Sequence, residues 1–199
     1  MHETSLGTDI LDFLTGVPRP RTIYEDLRQA MIAWFVTGLG FPRENMQSHL
    51  PVAYAIESEI FHRRADLVVY DRNPQKGGVP LVLSMFCPGQ VETYIREVTA
   101  LARLLPPLPC AFALVTDMKE MRLFETGKGT LLANDFGSMP QAGWFYSQTV
   151  PRHGLNERAR MAESRILHAY TGFLKDCCGE TCPAILPNTS GNHAPLEDA

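Results

Sequence analysis

Arg63-Arg64-Ala65-Asp66-Leu67-Val68-Val69-Tyr70, then Pro80-Leu81-Val82-Leu83-Ser84-Met85-Phe86-Cys87-Pro88, are the two stretches whose reading decides the fold of this chain. Each is a short, nearly continuous apolar run, the pattern of a strand covered on both faces. Between them Asp71-Arg72-Asn73-Pro74-Gln75-Lys76-Gly77-Gly78 is rich in turn formers, so the runs are expected to be neighbours. Residues i and i+2 of a strand point to the same side, which makes Ser84 and Phe86 one pair to follow. Asp66 is the acid that opens the first run.

Working outward, Thr22-Ile23-Tyr24-Glu25 has the form of a capping box, and Leu27, Met31, Trp34 and Phe35 fall on one helical face until Gly38 and Gly40. Upstream, residues 1–21 are read as an N-terminal arm that packs through Ile10, Leu11, Phe13 and Leu14. Strand-like runs are expected near 52–58, 64–70 and 79–86, and the apolar spacing of Val91, Tyr94, Ile95, Val98, Leu101, Ala102 and Leu105 predicts a helix over 90–105. Pro106-Pro107-Leu108-Pro109 ends that helix. Two further strands are predicted, over 110–116 and 121–125, followed by a loop rich in Gly, Ser and Pro. Asn156 can cap a helix over 157–176, with Ala162, Ile166, Tyr170 and Phe173 turned inward and Arg158, Arg160, Glu163 and Arg165 to solvent. The predicted organisation is thus an arm (1–21), an α/β core (22–150), a C-terminal helix packed on it (151–182) and a flexible tail (183–199).

The totals set bounds. With 199 residues, 45% of them hydrophobic, one compact domain is expected. A formal charge of −4 opposes strong non-specific duplex binding, so a nucleic-acid partner would need a local basic patch. Arg19, Arg21, Arg63, Arg64 and His62 are the residues that could supply one, with Trp34 or Tyr70 to stack on bases. The start of the chain lacks the pattern of a secretory signal and no long apolar run occurs, which predicts a cytoplasmic protein with no membrane partner. Cys87, Cys110, Cys177, Cys178 and Cys182 form an odd set, and free thiols are the simpler reading.

The order helix, three strands, helix, strand, with Asp66 on the second strand, resembles the PD-(D/E)XK nuclease superfamily. The closest likeness is to the N-terminal nuclease-like domain of type I restriction-enzyme R subunits, over about residues 22–126. Glu25-Asp26-Leu27-Arg28-Gln29 is similar to that family's first-helix Glu-x-x-Arg-Gln stretch, and Gly38-Leu39-Gly40-Phe41-Pro42 to the turn after it. Pro88-Gly89-Gln90 with Tyr94 resembles the start of its second helix, and Leu114-Val115-Thr116-Asp117 with Arg122-Leu123-Phe124 its closing strands. The resemblance implies a restriction-endonuclease-like αβββαβ core, a mixed central sheet flanked by helices, with an added C-terminal helix. It also implies a metal site built from an Asp on the second strand and a Glu on the third, with a Lys two residues later. Asp66 matches the Asp, but Ser84 stands in place of the Glu and Phe86 in place of the Lys.

The expectation is therefore a degenerate, non-catalytic domain that binds nucleic acid or protein. No cofactor is expected, and magnesium only if activity survives, with Asp66 and Glu25 as its candidate ligands. The first-strand ligand is left open among Glu57, Glu59 and His49. Glu25 also has the plain role of completing the capping box, and Asp66 that of pairing with Arg63 or Arg64. One competing reading is an active metal-dependent nuclease with relocated groups, for which Glu92, Glu97 and Lys76 are the candidates, against their plain reading as solvated side chains. The other is a cysteine-based metal or redox protein, built on Cys177, Cys178 and Cys182 with His168 or His193. His153 has no evident partner. Oligomeric state is not readable from these residues.

Overall fold

The computed structural model describes residues 6–87, 89, 91–151, 153–178 and 185–186. A two-stranded hairpin comes first, β1 (Asp9–Leu11) and β2 (Pro18–Pro20). It leads into α1 (Ile23–Ala33), which begins where the Thr22 hydroxyl accepts the Glu25 backbone N–H at 2.9 Å and continues into a wider turn over Trp34–Gly38. Then come β3 (Met46–Ile56), β4 (Glu59–Tyr70), β5 (Pro80–Phe86), α2 (Val91–Leu104), β6 (Phe112–Thr116), β7 (Met121–Glu125), β8 (Thr130–Ala133), α3 (Ala142–Ser147), α4 (Glu157–Cys178) and β9 (Ile185–Leu186).

The main sheet has the order β3-β4-β5-β6-β7-β8, with β9 beside β4. All its pairings are antiparallel except β5 with β6, which are parallel and joined by the α2 crossover. This is a mixed sheet with helices on both faces, the restriction-endonuclease-like core. Alternation along the central strands divides the apolar residues into two layers. Val82, Phe112 and Leu114 pack with Met31 and Ile32 of α1, Phe35 of the turn after it and Phe145 of α3, while Leu83, Ala113 and Val115 pack with Val98 and Leu101 of α2 and Leu167 of α4.

β3 and β4 change layers together. Met46 and Leu67 lie in the α1 layer, whereas Val52 and Ala65 lie in the α2 layer, although 46 and 52 on β3 have the same parity, as do 65 and 67 on β4. The change falls at His49, whose φ of 55° breaks the alternation of β3, and at Asp66, which lies opposite it between the pairs Ser48↔Leu67 and Leu50↔Ala65.

Several expectations are corrected here. The arm is a hairpin that packs on the core through Phe13 and Leu14, while Leu11 is exposed. The loop after β7 contains β8 and α3. Within the predicted tail, Ile185 and Leu186 pair with Arg63 and His62 of β4. α4 is rotated from its predicted face: Ala162 is exposed, and Glu163, Ser164, Leu167 and Thr171 are buried. Glu163 is drawn inward by Arg103, 2.6 Å away, and by Arg96.

Glu97 and Arg63 depart furthest from expectation. Glu97 is not a solvated helix acid but is fully buried, and Arg63, expected on a basic rim, is buried against it as an ion pair. The other Glu97 oxygen, Oε2, has no hydrogen-bond partner. Removing one member of such a pair leaves a stranded charge, so Glu97→Gln should cost about 3–5 kcal/mol of unfolding free energy in a urea titration. The double variant Arg63→Met/Glu97→Leu should recover most of that loss. Near-neutral behaviour of E97Q alone would contradict this account.

Candidate functional site

α1 lies against the sheet with one charged row turned inward. Glu25, Arg28 and Gln29 are spaced i, i+3 and i+4, so their side chains share a face. All three are buried, and Arg28 is only 2% exposed. The Arg28 guanidinium reaches both ways: Nε donates to Asp66 Oδ1 at 2.8 Å, and Nη1 donates to Glu25 Oε2. The second Asp66 oxygen accepts the backbone N–H of Phe86 at 2.8 Å. Asp66 is therefore paired with Arg28, and the nearby Arg64 charge adds to the field it feels.

Asp66 meets Phe86 through that backbone N–H bond. Ser84 is the cross-strand partner of Leu67 in the α1 layer, and Phe86, two residues on, stacks edge-on against Tyr24 of α1 with ring centres 5.5 Å apart. Ser84 is fully buried, and its Oγ has no hydrogen-bond partner among the described residues.

Glu25 does more than start the helix. Its backbone N–H is capped by Thr22, but its carboxylate does not complete the box; Oε1 accepts Gln29 Nε2 at 2.6 Å and faces His49 Nε2 at 3.6 Å. Gln29 Oε1 in turn accepts the Phe13 backbone N–H at 2.6 Å, tying the hairpin to α1. Of the three first-strand alternatives, His49 is the one brought to the cleft. Glu57 and Glu59 are exposed at the tip of the β3–β4 hairpin.

Burial alone would raise the Glu25 carboxyl; the His49 contact, the Arg28 charge and the Gln29 bond outweigh it and hold the group at about 2 against an ordinary 4.5. For Asp66 burial again pushes upward, and the Arg28 and Arg64 charges, with the Phe86 N–H, bring it below its ordinary value. The buried Cys87 thiol is pushed up to about 12 by burial and by the Asp117 and Asp66 charges, so it is a poor nucleophile.

The remaining candidates lie elsewhere. Glu92 is exposed and pairs with Arg122 at 2.7 Å. Lys76 is exposed in the turn before β5, at the far end of that strand from Phe86. Tyr70 is buried with its hydroxyl on Gln47, and Trp34 packs against Phe35 and Phe136, so neither is presented for stacking. His62 pairs with β9, and His153 lines a pocket of about 320 Å³ with Arg103, Cys110 and Thr126. Cys87 and Cys110 are buried thiols that form no disulfide among the described residues. Cys177 and Cys178 end α4, His168 lies edge-on against Phe61, and Cys182 and His193 lie outside the described residues, as do Pro88 and Gln90.

The residue missed in the sequence is Asp12. It is 1% exposed in the turn between β1 and β2, accepts the Leu14 and Thr15 N–H groups at 3.0 Å each, and pairs with Arg19 at 2.7 Å. Asp12 followed by Thr15-Gly16 is an Asx-turn pattern, the one signal that could have marked it.

Fold and cleft together define an α/β domain of restriction-endonuclease-like architecture with a buried Glu-Arg-Asp triad where its first helix meets the sheet. A family model described as "Type I restriction enzyme R protein N terminus (HSDR_N)" matches residues 24–140, more than half of the 199, and the chain belongs to this family. No curated protein and no solved structure matches. No helix among the described residues is long and apolar enough to cross a membrane.

The lowered carboxyl groups make stability depend on pH with a definite sign. A group whose folded value lies below its unfolded one contributes stability above the unfolded value and loses it as pH falls. Between pH 4.5 and 2 the protein should therefore weaken as Glu25 takes up its proton. Arg28→Met should remove about 3–5 kcal/mol at neutral pH, and its deficit against the parent should shrink across the same acid range. Urea titrations at several pH values check both; a deficit independent of pH would break the assignment.

Proposed function

We propose that this domain is a degenerate nuclease fold of PD-(D/E)XK type that does not cleave and acts as a binding module. The observation that carries this reading is Ser84 and Phe86 on β5, where the family pattern has an acid and a lysine, with the Phe86 N–H bonded to Asp66; the Arg28 guanidinium, part of the stretch shared with the family, is seated between Glu25 and Asp66. A divalent cation there would compete for the same carboxylates with a fixed, buried positive charge, and the residues present do not suit magnesium. Ser84 and Phe86 add neither a charged ligand nor a group to orient attacking water. Losing those terms removes several kcal/mol of barrier lowering.

Protein is favoured over nucleic acid as the partner. Three of the four arginines expected to form a basic rim are engaged with carboxylates: Arg63 with buried Glu97, Arg19 with Asp12 and Arg21 with Asp26. Leu6, Leu11, Val17 and Ile23 are exposed instead, on and beside the hairpin.

Incubation with duplex DNA, single-stranded DNA and RNA in magnesium or manganese should give no cleavage, and a mobility-shift titration at about 150 mM salt should show little retention of duplex. Cleavage that disappears in Asp66→Asn would overturn the proposal.

A further inference from the structure

A second constellation adjoins the triad without including Asp66. Asp12 from the hairpin turn, Glu25 from α1 and His49 from β3 each offer one ligand atom, and the three atoms lie within 4.8 Å of one another. Asp12 and Glu25 are almost fully buried. His49 Nε2 is closed off from solvent and makes no hydrogen bond among the described residues; Glu25 Oε1 lies 3.6 Å from it, within reach of charge but beyond hydrogen-bond reach. A buried ring nitrogen without a hydrogen bond, facing two carboxylates, suits a cation that all three can bind.

We infer that Asp12, Glu25 and His49 form a site for a transition-metal dication of the zinc or manganese class, which pins the N-terminal hairpin to α1 and β3. The donor set selects the metal. One imidazole nitrogen with two carboxylate oxygens suits zinc or manganese, whereas magnesium prefers oxygen alone. Zinc bonds of about 2.0–2.2 Å would require the three atoms to draw together from their present spacing, with water completing the coordination. The surroundings allow that movement: Arg19, which holds Asp12 Oδ2, is 35% exposed and can turn outward, while the Leu14 and Thr15 N–H groups keep Asp12 Oδ1 oriented. Both carboxyl groups are held below their ordinary values and stay ionised for a cation. Arg28 holds Glu25 Oε2, and Gln29 donates to Oε1, the oxygen that also faces His49, so both fix the carboxylate's orientation as outer partners do around a metal ligand.

The role is structural, so the test does not depend on cleavage. Zinc chloride and manganese chloride are titrated calorimetrically into the full chain, with thermal unfolding followed in parallel, and cobalt(II) is used for its absorption spectrum. One ion per chain, a raised unfolding temperature and a cobalt spectrum without a thiolate charge-transfer band are expected; magnesium should bind at least tenfold more weakly. His49→Asn, chosen because Asn tolerates the left-handed backbone at this position, and Asp12→Asn, which keeps the turn acceptor, should each weaken zinc binding tenfold or more. Circular dichroism confirms that each variant is folded, and either one suffices for the comparison. No zinc or manganese binding by the parent, undiminished binding in the folded variants, or a thiolate signature pointing to the cysteines would overturn the inference. Metal binding without cleavage leaves the proposed function standing, whereas cleavage without a metal at His49 would sink that function alone.

Discussion

Two buried carboxylates facing one another across a helix-to-sheet contact need a cation, and in this protein it is supplied by the chain itself. Arg28 lies between Glu25 and Asp66, and the geometry of its planar group decides what else the cleft can hold. An ammonium on a flexible stem would be a weaker bridge, because the guanidinium fork bonds two acceptors at once. The same contact joins α1 to β4 where the sheet changes layers, and through Phe86 N–H it fixes the end of β5 as well. One side chain thus couples the first helix to two central strands.

Much of this architecture was legible because the central strands and α2 have strong apolar periods. The apolar runs around Leu67–Val69 and Val82–Phe86 could hardly be anything but covered strands, and the shared side of Ser84 and Phe86 followed from a period of two. The partner of Asp66 was not legible. Arg63 and Arg64 are adjacent in sequence, but Arg63 is turned into the α2 layer toward Glu97, and Arg28 arrives from 38 residues away. The Glu25, Arg28 and Gln29 spacing did carry the information, since i, i+3 and i+4 lie together on a helix, but composition alone treats charged residues as solvent-facing.

The same bias explains α4. Its apolar residues suggested a face through Ala162 and Ile166, whereas the buried line runs through Glu163, Leu167 and Thr171. Glu163 is inside because Arg103 of α2 needs a carboxylate, and Thr171 because the Tyr54 hydroxyl lies 2.9 Å away. Polar pairs between layers rotate a helix away from the face that hydropathy alone selects. Asp12 was missed for a different reason: a turn residue in a short hairpin has a local explanation, and nothing in its neighbourhood along the chain indicates that Glu25 and His49 will meet it.

Asp66 has a structural role that survives without a metal. With one oxygen on Arg28 and the other on the Phe86 N–H, it shares a buried guanidinium with Glu25 and satisfies a strand-end amide. Ser84 has no such role, since its hydroxyl is buried without a hydrogen-bond partner among the described residues. The two positions therefore answer to different constraints. An aspartate at 66 is held by folding energetics, whereas nothing in the packing of the described residues asks for a charge at 84 or 86. The Arg28 guanidinium already neutralises both buried carboxylates, so the contact of α1 with the sheet does not depend on charged groups at the end of β5.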